Sequence, residues 1–336
     1  MLFLLQEKKN LSVSECLYWH TVFSSDGTEL LVSGMDNAFQ LWDTRLKQCI
    51  NTYNGHTGWV RAACFLNNNN MIASASNDQT IKIWDKQTNK CLKTFQGHTG
   101  YVTSVCSLHN NNNKLASASY DKTIRVWNYD HDDNNNDDDK KDSSSPIKIL
   151  TGHLDIVTSV TYIQGCKKLA SACYDKTIKV WDVEQGTCLV TLYGHNNFIR
   201  HLVPIPIPIP TIQEYKDGYP LYTIASASDD QTIKLWDIEN GTCINTYIGH
   251  TDSVSCVAFF LDKNDNKIYL MSASYDKTIK VWGIENGTTC LETFMYHQQR
   301  IRSISIHYKE KESLLNIASV SDDTSIKLST FHTSPK

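Results

Sequence analysis

Residues 272–283 read SASYDKTIKVWG, and close copies stand at 117–128 (SASYDKTIRVWN) and 171–182 (SACYDKTIKVWD). Looser copies are SASNDQTIKIWD at 74–85 and SASDDQTIKLWD at 226–237. A chain that writes one dozen residues five times is bound to build one structural unit several times, with each unit packed on its neighbour. A tryptophan ends each copy, at Trp84, Trp127, Trp181, Trp236 and Trp282, with an earlier one at Trp42; the intervals are 42, 43, 54, 55 and 46 residues. A degraded seventh copy, ASVSDDTSIKLST, puts Ser329 where the tryptophan belongs. Gly-His precedes most copies, at 55–56, 97–98, 152–153, 194–195 and 249–250, and Tyr296-His297 is the seventh version.

Inside one unit the pattern is of short strands. WVRAACF alternates and is rich in β-formers, NNNN interrupts it, and MIASAS alternates again. NDQ turns, TIKIWD makes a third strand, KQTN turns, and KCLKTF makes a fourth. Four strands per repeat of about 42 residues predict one propeller blade per repeat. No stretch keeps a helical period over three turns, so the class is all-β.

The Gly-His start, the S-x-S-x-D-x-T-I-K-x-W centre and the Trp-Asp end resemble the WD-repeat β-propeller family over nearly the whole chain. GHTGWVR and DKTIKVWD are similar to the propeller of the lissencephaly-type dynein regulators, and also to many general WD-repeat arrays. The helical dimerisation segment that precedes the propeller in those regulators has no counterpart in these residues, so a chain monomeric on its own is expected. Seven three-strand sets occur, but only six are followed by a fourth strand. The resemblance implies a single seven-bladed propeller over 1–336, with the missing outer strand supplied by LFLLQ at 2–6. An uncovered strand edge would otherwise invite aggregation.

Two stretches break the repeat. Residues 129–147 are an acidic, low-complexity insert expected to be disordered, between the third and fourth strands of the third unit. Residues 203–220 are a proline-alternating insert expected to be extended, between the first and second strands of the fifth unit. In a propeller both kinds of loop lie on the bottom face.

The net charge of −4 gives no support for nucleic acid or an acidic membrane as the main partner. No run reaches the roughly 18 apolar residues of a membrane span. MLFLLQEKKN is too short in its apolar part for a signal peptide, so a cytoplasmic or nuclear, non-secreted protein is expected. Of the eleven cysteines, Cys49, Cys91, Cys188, Cys243 and Cys290 recur at one place in successive units, so they should not meet. They are expected to be buried, reduced thiols. There is no C-x-x-C pair, Walker loop, G-x-G-x-x-G or H-E-x-x-H, and neither a metal, a cofactor nor a small-molecule substrate is expected. The two Asn-Gly-Thr sequences at 240–242 and 286–288 read as hairpin turns rather than glycosylation sites.

Each full unit contains His, Ser, Asp and Trp, which superficially suggests a hydrolase. A nucleophile needs one activated site, whereas a set written five or six times serves each unit. The resemblance implies buried hydrogen-bond networks in His56/Asp78/Trp84, His98/Asp121/Trp127, His153/Asp175/Trp181, His195/Asp230/Trp236 and His250/Asp276/Trp282, each completed by a serine. In the second unit alternation leaves Ser74 and Ser76 both open as that serine. The first unit has Ser14 in place of the histidine and the seventh lacks the tryptophan, so these two blades should be the softest.

Residues that vary at fixed repeat positions carry the functional expectation. In WD-repeat propellers three such rings surround the top mouth of the channel, where partners dock. From them the resemblance implies a partner-binding set of Trp19, Trp59, Arg61, Tyr101, Tyr120, Tyr174, Phe198, Arg200, Asp229, Tyr275, Arg300, Arg302 and Asp322. Asp229 and Asp322 are expected to accept a basic side chain, and the aromatic mouth an arginine or methylated lysine. The expected function is a non-enzymatic scaffold for protein or peptide partners, as a subunit of a multiprotein complex. The alternatives are an RNA-binding propeller of an RNA-processing complex and, more remotely, a propeller hydrolase. The last needs a titratable cluster that breaks the repeat, and none is evident in the sequence.

Overall fold

Alternating strands of this length must stack face to face to bury both sides, and they do so here as blades. The structure, a computed structural model, describes residues 2–11, 16–66, 69–108, 113–129, 144–206, 222–262, 264–284 and 287–334. They form seven antiparallel four-stranded sheets. Blades 1 to 6 run from residue 18 to 54, 60 to 95, 102 to 150, 157 to 192, 199 to 248 and 254 to 294. Blade 7 combines 301–334 with the N-terminal strand Leu2–Asn10. The innermost strands touch in succession and the seventh meets the first, so the ring is closed. The architecture is the expected seven-bladed propeller sealed by its N-terminal strand.

That strand is longer than the five residues the sequence suggests. It pairs with Ile326–Ser334 from Leu2 opposite Ser334 to Asn10 opposite Lys327. Leu11 then donates its backbone N–H to the Ile326 carbonyl and packs with Trp42 in the core between blades 7 and 1. Leu11 thereby does what Tyr53 and Phe95 do in blades 1 and 2, where the last apolar residue of an outer strand meets the next blade's tryptophan.

Small residues set the spacing. The second strand of blade 2, Met71–Ser76, buries Ile72, Ala73, Ser74, Ala75 and Ser76 completely, so the neighbouring sheets can close on both of its faces. Its third strand, Ile81–Asp85, alternates: Ile81 and Ile83 are buried, and Lys82 donates to Thr94 Oγ1 on the outer strand. Gly55 shows why Gly-His recurs. Its φ is +149°, and a Cβ there would stand 3.0 Å from the Trp84 ring. Blade 7 has Ser329 at the tryptophan position, and there Tyr296 replaces the glycine.

Two expectations need revision. Cys91, Cys188, Cys243 and Cys290 are exposed and Cys49 is half-buried, because all five lie on outer strands opposite the tryptophan, where one side faces solvent. The first strand of blade 5 runs to Pro206 and so takes up the first residues assigned to the proline-rich insert. The rest of that insert, from 207, and residues 130–143 of the acidic insert lie outside the described residues, as does Ser14. No helix among the described residues is long and apolar enough to cross a membrane.

Candidate functional site

The repeated polar set forms one hydrogen-bonded chain per blade. In blade 2 His56 Nδ1 lies 2.7 Å from Asp78 Oδ2, and Nε2 lies 2.8 Å from Ser74 Oγ. Trp84 Nε1 donates to the same Oγ at 2.8 Å. Every partner is satisfied when Nδ1–H donates to the carboxylate and the serine hydroxyl donates to Nε2. Ser74 is therefore the member that sequence alternation left undecided. Ser76 instead donates to the Gly58 carbonyl and accepts the Asp78 backbone N–H. The same chain joins His98 with Ser117, His153 with Ser171, His195 with Ser226 and His250 with Ser272, each serine also taking its tryptophan.

Asp78 Oδ1 also accepts Thr80 N–H and Oγ1–H, and so pins a tight turn whose Gln79 has φ of +70°. A left-handed non-glycine residue costs about 1 kcal/mol or more, and these bonds offset it. Burial alone would raise the Asp78 carboxyl; hydrogen bonds from His56 and Thr80, with attraction to His56, hold it well below the usual range. Asp121, Asp175, Asp230 and Asp276 are depressed by the same balance, and Asp323 is lowered to about 2. His98 and His195 are shifted down, chiefly by burial, against the pull of Asp121 and Asp230.

In blade 4 Cys173 occupies the Ser76 position. There His153, Cys173 and Asp175 bring three possible ligand atoms within 4.8 Å of one another. Those atoms are already committed: the imidazole bridges Asp175 and Ser171, and Sγ lies between the Asp155 carbonyl and the Asp175 N–H.

The mouth is built differently. In all seven blades the ladder between first and second strands slips at one residue of the first strand. The skipped residues are Trp19, Arg61, Thr103, Thr158, Arg200, Ser255 and Arg302. A β-bulge re-aims its extra side chain, and here seven bulges form one ring. Thr103, Thr158 and Ser255 use their hydroxyls to bind a backbone carbonyl of the next blade: Val157, Ile199 and Ile301 at 2.6, 2.6 and 2.7 Å. All seven line a cavity of about 150 Å³, and Trp19, Arg61, Arg200 and Arg302 supply its large side chains together with Tyr120, Tyr174 and Tyr275.

The large residues are interlocked. Arg200 donates to both oxygens of Asp229 at 2.7 and 2.6 Å and to Tyr174 Oη at 2.6 Å, while Tyr174 stacks on Phe198 with centroids 4.2 Å apart. Arg302 holds Asp322 through two bonds of 2.6 and 2.8 Å and reaches Tyr275 Oη. Arg300 is exposed and lies 5.1 Å from the Tyr275 ring centre. Tyr101 packs on Tyr120 at 5.2 Å. Trp59 stacks on Trp19, and Arg61 sits 4.3 Å above Trp19. Asp229 and Asp322 are thus not open to a basic partner, since each is neutralised by its own arginine. Three guanidinium groups at the cavity also disfavour a cationic guest.

Beneath the bulge ring lie His20, His201 and Cys256, where other blades have Ala62, Ser104, Ser159 and Ser303. This titratable cluster breaks the repeat, and sequence reasoning missed it. Its signal was available: these are the residues next to the bulge position. Burial, with repulsion from His201, lowers His20 to about 3. Cys256 is only 2% exposed, and its sulfur contacts the Ile304 carbonyl.

Sequence comparison places these features in a family. The WD domain, G-beta repeat family matches residues 47–85, 89–128, 144–182, 186–237 and 241–283. Nuclear distribution protein PAC1 of Arthroderma otae is 30% identical over 235 residues, covering 69% of this chain and 41% of that protein. A probable E3 ubiquitin ligase complex SCF subunit, sconB, of Talaromyces stipitatus is 25% identical over 140 residues, 32% of this chain and 21% of its own length. Autophagy-related protein 16 of Arabidopsis thaliana is 32% identical over 120 residues, 35% of this chain and 20% of that protein. The chain spans about two-fifths or less of the length of these relatives. With five matched repeats and seven blades, this chain belongs to the WD domain, G-beta repeat family.

Proposed function

We propose that this chain is a non-enzymatic scaffold that binds protein partners through the mouth face of its propeller, as a subunit of a multiprotein complex in the cytoplasm or nucleus. One observation carries the proposal. The buried network is nearly the same in five blades, whereas the mouth positions differ from blade to blade and present exposed aromatics beside arginines. Trp59 is 39% exposed and Tyr101 43%. Aromatic residues and arginine are the commonest anchors of protein interfaces. The absence of catalysis is part of the same proposal: each buried Ser–His–Asp set is occupied with holding its blade's tryptophan, and the thiol of the one cluster that breaks the repeat, Cys256, is only 2% exposed. One relative carries the name of a ubiquitin-ligase complex subunit, which fits a scaffold role.

Affinity purification with mass spectrometry tests this directly. Trp59→Ala with Tyr101→Ala should remove the partners captured by the intact chain and move the melting midpoint by no more than about 2 °C, since both rings are partly exposed. Capture that persists, or a fold that collapses, would refute the assignment to the mouth.

A further inference from the structure

The three cavity arginines are not equivalent. Arg200 and Arg302 each face an aspartate from the residue preceding the tight turn, Asp229 and Asp322. At that position in blade 2 stands Asn77, and Arg61 donates only Nε–H to Asn77 Oδ1, at 2.8 Å. Its two terminal Nη groups make no hydrogen bond to the described residues. Around it are the Trp19 and Trp59 rings, 4.3 and 5.6 Å from the guanidinium carbon. Across the three mouth rings four arginines meet two aspartates, and of the two left over Arg300 is on the exposed rim. Among the described residues Arg61 is therefore the cation inside the cavity without a counter-ion. Burial and the nearby Arg302 shift its pKa down, as expected for a charge that lacks a partner.

We propose that the cavity takes one carboxylate side chain, a glutamate or aspartate of a partner protein, with its oxygens on the free Nη groups of Arg61. This rests on the mouth being the docking face. A cavity of about 150 Å³ admits one group of benzene size. The guest is a monoanion rather than a phosphate dianion, because one guanidinium is unpaired and the other two are already committed in bidentate pairs. The flanking indoles lower the local dielectric around the guanidinium and so strengthen the ion pair. The exposed rings of Trp59 and Tyr101 lie beside the opening for the flanking residues of the guest.

The test uses the full chain on beads and fluorescein-labelled random decapeptides whose central residue is fixed as Glu, Gln, Lys or phosphoserine. The Glu set should be retained about tenfold more than the Gln set, the worth of a charge-assisted hydrogen bond. Asn77→Asp gives Arg61 the aspartate that Arg200 and Arg302 already have, and should erase that ratio while keeping the melting midpoint. Arg61→Gln should erase it as well, and serves where Asn77→Asp disturbs the fold. An unchanged ratio in both variants overturns the proposal, and phosphoserine retained above Glu overturns it in favour of a phosphate guest. Equal retention of all four sets that still depends on Trp59 and Tyr101 sinks the carboxylate site and leaves the mouth assignment standing. No retention above bare beads sinks both.

Discussion

In blade 5 one hydroxyl, Ser226 Oγ, holds both His195 and Trp236; in blade 7 its counterpart Ser319 holds His297 alone, because Ser329 stands where the tryptophan would be. The ring that a tryptophan covers elsewhere is Phe294, at the end of the blade 6 outer strand. In blade 7 it is covered by Phe331 at 5.0 Å and Tyr296 at 5.3 Å. Blade 1 departs in the opposite sense. It keeps Trp42 but has Val32 at the serine position, and the indole N–H goes to Gln40 Oε1 at 3.0 Å. The polar chain and the aromatic filling are thus separable. Blades 2 to 6 use both, whereas blades 1 and 7, which meet at the seam, keep one part each. The backbone ladder from Leu2 to Asn10 closes the chain into blade 7, and blade 7 packs on blade 1 through the core of Leu11, Trp42, Ala318, Val320 and Ile326.

The largest effect expected from this contrast is on that ladder. Removing residues 2–10 bares the edge of Ile326–Ser334 and strips the outer strand from a blade that already lacks its tryptophan. The melting midpoint should fall by about 10 °C or more, and size-exclusion chromatography should show association through the open edge. A monomer with an unaltered melt would mean that the ring is held by side-chain packing between blades 7 and 1 alone.

A smaller effect separates the two serines. Ser226→Ala leaves the Trp236 N–H and the His195 ring nitrogen without a partner, and should cost about 2–4 kcal/mol in urea unfolding. Ser319→Ala orphans only His297 and should cost about half as much. Equal costs would show that the indole bond adds nothing to the network.

The blade count, the four-strand unit and the members of the polar chain were legible because each is written several times, so chance agreement at one copy is outvoted by the others. The seam was legible only in outline. LFLLQ marks a strand, but the phase that continues it through Leu11 appears only once Leu11 is set beside Tyr53 and Phe95. The bulge ring lay beyond local pattern. Val60-Arg61-Ala62 reads as plain alternation, and the extra residue shows only against its partner strand, where Val60 faces Ser76 and Ala62 faces Ala75. The pairing of Asp229 with Arg200 was hidden for the same reason. The two are 29 residues apart, and only the bulge turns the guanidinium toward the neighbouring turn. The cysteines misled because apolar character suggested burial, while strand position decides it.

The smallest effect concerns whether blade 7 can be returned to the interior pattern. Ser329→Trp alone drives an indole toward the space beside Phe294 that Tyr296 and Phe331 already occupy, and should destabilise by about 2 kcal/mol through overpacking. Tyr296→Gly alone uncovers Phe294 and frees the backbone, and should also destabilise. Together they restore the Gly–Trp contact of the other blades and place the indole N–H within the reach of Ser319. The double variant should then be more stable than the sum of the single costs by about 1 kcal/mol, read as a coupling energy from urea denaturation. Strict additivity would mean that Tyr296 and the missing tryptophan do not exchange for one another. The resemblance between the Phe294 contacts in blade 7 and the tryptophan contacts elsewhere would then be one of shape without energetic consequence.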